Sequence, residues 1–140
     1  MELSWQTAVG VGRTKRVLII DDNQACSLVA RQIFFAMGAH ADTVANGYDA
    51  VEAVAKERYD LVLVDWQMPI RDGAKTLQLM DAVVSNFDRR IPYIIYTGQD
   101  PDIVSVPHTE NLYIIDYWHK EYRRSSWEKR VAAFFSYQED

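Results

Sequence analysis

The stretch Leu61-Val62-Leu63-Val64-Asp65-Trp66-Gln67-Met68-Pro69-Ile70-Arg71-Asp72-Gly73 holds the pattern from which the fold follows. It opens as an unbroken apolar run, the composition of a strand covered on both faces, as in a parallel sheet. The run ends on a carboxylate, Asp65, and turns through Pro69 and Asp72-Gly73 into a helical pattern carrying Leu77, Met80 and Val84. Strand, charged terminus, turn and helix make one βα unit.

Upstream the same unit occurs twice. Val17-Leu18-Ile19-Ile20 is a second continuous apolar run, and it ends in Asp21-Asp22. Asn23 is placed to cap the following helix, with Cys26, Val29, Ile33 and Met37 on one face and Gly38 closing it. Ala41 to Val44 reads as a weak strand, and Asn46 opens a helix carrying Ala50, Val51, Val54 and Ala55. Downstream, Pro92 sits where its missing N–H does least harm, at the start of the strand Tyr93-Ile94-Ile95-Tyr96, which runs into Thr97-Gly98. Between Asp100 and Asp116 the repeat calls for a fourth helix, but Pro101 and Pro107 interrupt it, so a short or distorted one is expected over 102–111. Tyr117-Trp118-His119 reads as the last strand. In the final helix Ser125 and Glu128 have capping-box spacing, and Trp127, Val131, Phe134 and Phe135 form the apolar stripe.

Strands alternating with helices imply a doubly wound α/β sandwich, whose strand C-termini share one edge, where ligands bind in such folds. Asp21, Asp22, Asp65, Thr97 and Lys120 all fall at or near that edge and are expected to converge. One strand-terminal Asp is usually a cap or a turn residue. A tandem pair with a third Asp, a Thr and a Lys in register is a site. Three carboxylates in one crevice repel each other unless a cation is present. Hard oxygen donors suit Mg2+, which takes one or two protein carboxylates and fills its remaining positions with water and phosphate oxygens. A carboxylate is also a nucleophile able to form an acyl phosphate, a transfer that needs mainly positioning and charge neutralisation.

These motifs, Val17 to Asn23, Asp65 to Gly73, Tyr96-Thr97-Gly98 and Lys120, resemble the receiver domains of two-component response regulators, over about residues 16–137. The wording Asp65-Trp66-Gln67-Met68-Pro69 is particularly similar to receivers attached to hybrid histidine kinases. The resemblance implies that Asp65 takes a phosphoryl group from a histidine kinase or histidine phosphotransfer protein. It implies Mg2+ bound by Asp22 and Asp65 directly, by Asp21 largely through water, and by the Gln67 backbone carbonyl. Thr97 would be the switch hydroxyl, Lys120 the partner of a phosphoryl oxygen, and Tyr117 the aromatic whose rotamer follows phosphorylation. Gly98 would leave room for the phosphate. One departure is Glu121, where the family usually has proline after the lysine. A non-proline cis bond costs about 2.5–4 kcal/mol, so Glu121 points to a trans bond and a shifted loop. The expected fold is a doubly wound five-stranded parallel sheet in flavodoxin-like order 2-1-3-4-5, with an irregular or short fourth helix. Residues 1–15 are expected to be a flexible tail and 16–137 the receiver domain.

Composition narrows the alternatives. The chain has 140 residues, room for one domain, and a formal net charge of −5. A nucleic-acid surface would need clustered cations, and the local group Arg123, Arg124, Lys129 and Arg130 reads as a solvated helix start. Cys26 is the only cysteine, and its apolar neighbours suggest a buried thiol. No stretch nears the ~20 apolar residues of a membrane span, and there is no signal-peptide pattern, so a cytoplasmic setting is the default. His40, His108 and His119 share no metal-ligand spacing. An aspartyl-phosphate phosphohydrolase similar to the haloacid dehalogenases would carry Asp-x-Asp and usually a cap domain, whereas Asp21 and Asp22 are adjacent. No Gly-x-x-x-x-Gly-Lys phosphate loop occurs. The remaining alternative is a receiver-like interaction domain acting without phosphorylation, suggested by the irregular 100–116 segment and Glu121. The downstream partner is not encoded in any motif.

Overall fold

Four apolar residues in succession, Val17 to Ile20, cannot hide one face from water and show the other, and in the fold neither face is wet. All four are fully buried in β1 (Arg16–Ile20), an interior strand of the sheet. This computed structural model describes residues 14–65, 73–85, 91–98, 113–119 and 124–138. Within them lie β1, α1 (Gln24–Ala36), β2 (His40–Val44), α2 (Gly47–Lys56), β3 (Leu61–Asp65), α3 (Gly73–Ser85), β4 (Tyr93–Thr97), β5 (Ile114–His119) and the C-terminal helix α4 (Arg124–Gln138). The sheet is five-stranded in the order β2-β1-β3-β4-β5, and every pair is parallel. This is the doubly wound, flavodoxin-like order expected from the sequence.

Alternation along the strands builds two cores. Val17, Ile19, Leu61, Leu63, Ile94, Tyr96 and Trp118 pack with Ala30, Ile33 and Phe34 of α1 and Trp127 and Val131 of α4. On the other face, Leu18, Ile20, Val62, Val64, Tyr93 and Ile95 pack with Ala50 and Val54 of α2 and Leu77 and Met80 of α3. The β4–β5 ladder carries an irregularity: Tyr93 is opposite Ile114 but Ile94 is opposite Asp116, so Ile115 is extra.

Local signals explain where the elements start and stop. Asn23 Oδ1 accepts the Cys26 N–H at 3.1 Å and Asn46 Oδ1 accepts the Asp49 N–H at 2.8 Å, each an N-cap. Gly38 follows α1 with φ of 90°, a conformation that disfavours a Cβ.

Three expectations need correction. The buried stripe of α1 is Ser27, Ala30, Ile33 and Phe34, while Val29 is exposed and Cys26 only partly covered. A serine is tolerated there because its hydroxyl donates to the Gln24 carbonyl at 3.1 Å, which satisfies the polar group without water. In α2, Ala55 faces solvent. Ser125 lies inside the first turn of α4, which begins at Arg124, so it is not the cap. The 102–111 helix, and the side chains of Val84, Phe134 and Phe135, fall outside the described residues. Among the described residues no helix is long and apolar enough to cross a membrane.

Candidate functional site

β1 and β3 are neighbours, with Ile20 opposite Val64, so their following residues, Asp21 and Asp65, end up side by side. Alternation sends both side chains to the face shared by α1 and α4, because Asp21 follows Val17 and Ile19 and Asp65 follows Leu61 and Leu63. Tyr96, directly opposite Asp65 in the β3–β4 ladder, belongs to the same face. Asp21 stays in the sheet through its N–H, which donates to the Val44 carbonyl at 3.0 Å.

The carboxylates are close and unequal. One oxygen from each of Asp21, Asp22 and Asp65 lies within 4.8 Å of the others. Asp21 and Asp65 are each 3% exposed, whereas Asp22 opens to solvent. Asp21 is gripped at both oxygens: Oδ1 accepts the Asn23 N–H at 2.9 Å and Oδ2 accepts the Tyr96 hydroxyl. Burial, then that hydrogen bond and the charges of Asp21 and Asp65, raise the Tyr96 hydroxyl pKa far above the usual phenol range, so it stays a donor. An all-oxygen set with one ligand facing solvent fits a hard divalent cation, which would also cancel the mutual repulsion of three anions. The cluster is thus capable of coordinating a divalent metal.

A family model described as the response regulator receiver domain matches residues 17–132. The chain belongs to that family. It is 44% identical over 70 residues to the sensor protein GacS of Pseudomonas syringae pv. syringae, a match that covers 50% of this chain and 8% of GacS. The receiver spans 7–16% of the length of three curated relatives it matches. Its fold is that of the CheY-like receiver domain protein of Methanospirillum hungatei, with a TM-score of 0.72 at 21% identity, covering 91% of this chain and 98% of that one. The receiver domain of the histidine kinase CKI1 from Arabidopsis thaliana, complexed with Mg2+ and BeF3−, is 28% identical with a TM-score of 0.57, covering 62% of this chain and 68% of that one.

A receiver is a phosphoacceptor module of two-component phosphorelays, and its only catalysis is its own phosphorylation and dephosphorylation. In this receiver Thr97 ends β4 with 1% of its surface exposed, at the same sheet edge as the carboxylates. Tyr117 lies on β5 opposite Ile95 and is 44% exposed. Gln67, Lys120 and Glu121 lie outside the described residues. Tyr96 is a site residue that the sequence pattern marks only as a strand residue. The available signal was its place at the polar end of the strand, next to Thr97, where a buried phenol can reach the groups of the sheet edge.

Proposed function

We propose that Asp65 is the phosphoryl acceptor of this receiver and that the donor is a phosphohistidine of a histidine kinase or a histidine phosphotransfer protein. The observation that carries this reading is the meeting of Asp21, Asp22 and Asp65 at the C-terminal edge of the sheet. In the transfer, an Asp65 carboxylate oxygen bonds to phosphorus while the bond from phosphorus to the donor's imidazole nitrogen breaks. The electron pair leaves with that nitrogen. Asp22 and Asp65, with the Gln67 carbonyl, would hold Mg2+ directly, and Asp21 would act largely through water. Bound there, Mg2+ would neutralise charge on the phosphoryl oxygens. The Mg2+ and BeF3− complex of the CKI1 receiver supports this choice of metal and of phosphoryl chemistry.

Lys120 would pair with a phosphoryl oxygen. Thr97, buried beside the site, would turn its hydroxyl toward the phosphoryl group. Tyr117 has the exposure that a rotamer change needs, and its register places it one strand from Thr97. A downstream protein would read the resulting surface. Similarity to sensor kinases such as GacS supports a kinase-side partner. The test is incubation with Mg2+ and acetyl phosphate followed by intact mass. An adduct of about +80 Da, absent in Asp65→Ala, is expected. An adduct that persists in the variant would sink the assignment.

A further inference from the structure

Both buried tyrosines of β4 lie in the sheet, but only one hydroxyl is aimed at chemistry. Tyr93 is fully buried on the α2 and α3 face, and its hydroxyl has no hydrogen-bond partner among the described residues. Its ring volume is thus sufficient reason for it. Tyr96, on the other face and 1% exposed, donates its hydroxyl to Asp21 Oδ2. We infer that Tyr96 is a positioning residue for the metal site, holding the Asp21 carboxylate in its binding orientation. The inference rests on the reading of Asp21, Asp22 and Asp65 as that site.

The geometry makes the hold stiff at both ends. Asp21 is pinned at Oδ1 by the Asn23 N–H at 2.9 Å and at Oδ2 by the phenol, so the carboxylate plane has no free rotation left. The phenol is itself wedged. The Trp127 ring meets it edge-on, with centroids 5.9 Å apart and planes at 87°, and Trp118 backs Trp127 at 5.6 Å. A hydroxyl that cannot swing away fixes the oxygen that it touches. Mg2+ demands near-octahedral geometry, so an Asp21 carboxylate fixed in advance to act through water spares the ordering that binding otherwise requires. The hydroxyl also draws charge from one member of a crowded anionic trio. The chain of contact runs from Asp21 through Tyr96 to Trp127, so α4 sets the geometry at the metal end of the sheet.

The test is an amide NMR titration with MgCl2 of the wild type, Tyr96→Phe, Tyr93→Phe and Asp22→Asn, following the Asp22 and Asn23 signals. Tyr96→Phe keeps the ring and removes only the hydroxyl. It is expected to bind Mg2+ about tenfold more weakly, the scale of a hydrogen bond to a charged group. Tyr93→Phe is expected to match the wild type. A merely structural role would lower the melting temperature and leave the Mg2+ midpoint of the folded protein unmoved. A Tyr96→Phe midpoint within twofold of wild type, or tighter than it, overturns the inference while leaving the metal site standing. A second measurement needs no variant: with tyrosine labelled at Cζ, the wild-type Tyr96 signal should move with the Asp22 midpoint. A Tyr96 signal that stays still counts against the inference even if Tyr96→Phe does not fold. No Mg2+ response in the wild type, or an unchanged one in Asp22→Asn, would remove the metal-site reading and this inference with it.

Discussion

Asp21 and Asp22 are adjacent, yet the fold gives them opposite surroundings: one is 3% exposed and held at both oxygens, the other faces solvent. Together with Asp65 they form a cluster of like charges whose repulsion the folded state must carry when no cation is bound. Replacing Asp65 by Asn removes one charge. In chelator the variant should be more stable than wild type by about 1 kcal/mol. Added Mg2+ should raise the melting temperature of the wild type and do little for the variant. Equal Mg2+ responses of the two melts would contradict the clustered-charge account. A carboxylate outside the cluster, Asp42, behaves differently. Burial of Asp42 raises its pKa, but hydrogen bonds from Tyr59 at 2.7 Å and His40 at 2.9 Å, with the charges of His40 and Arg16, outweigh this and lower it below 3.8. The lowered folded-state pKa means that Asp42 contributes stability above the unfolded value, near pH 4, and loses it as pH falls through the folded value. Asp42→Asn should therefore flatten the acid limb of a stability–pH curve below about pH 4.

At the scale of elements, α1 begins where the site ends. Asn23 gives its backbone N–H to Asp21 and takes the Cys26 N–H on its own side chain, so one residue joins carboxylate and helix. Asn23→Ala keeps the first bond and loses the second. It should destabilise the fold by about 1 kcal/mol in chemical denaturation, the usual worth of an N-cap. Asn46→Ala at the α2 cap should cost a similar amount. A loss well above that at Asn23 alone would show that the cap also supports the carboxylate cluster. The end of β5 is tied in another way. Arg130 of α4 reaches the His119 carbonyl at 3.5 Å and lies 6.0 Å from the Trp118 ring, so α4 secures the strand that leads toward Lys120.

Among the described residues each side of the sheet is covered by a pair of helices, and the side with α1 and α4 carries Trp118 and Trp127. Trp127 touches Tyr96 and Trp118 and is 5% exposed. Trp127→Ala should cost about 3–5 kcal/mol, as large-to-small changes in a core do. Denaturant unfolding would show this as a lower midpoint with an unchanged slope. A loss under about 1 kcal/mol would mean that α4 contributes little to the core.

How much of this could be read from sequence follows from what each feature depends on. Apolar runs that end in Asp21-Asp22, Asp65 and Thr97 identify strands and their polar ends locally, and a parallel sheet then brings those ends to one edge. The helix caps at Asn23 and Asn46 are equally local, since donor and acceptor lie three residues apart. The apolar pattern of α1 favours Val29 for the buried face, whereas Ser27 takes that place because a bond to its own helix makes it burial-competent. Other features needed the assembled fold. The contrast between Asp21 and Asp22 is a matter of which one the sheet turns inward. The bond from Tyr96 to Asp21 spans 75 residues and exists only because β1, β3 and β4 lie side by side. Which chemical groups stand at the sheet edge is written locally along the chain, in the residues that end each apolar run. Tertiary structure decided which of those groups are held rigid, because only packing between distant strands and α4 leaves a carboxylate no room to turn.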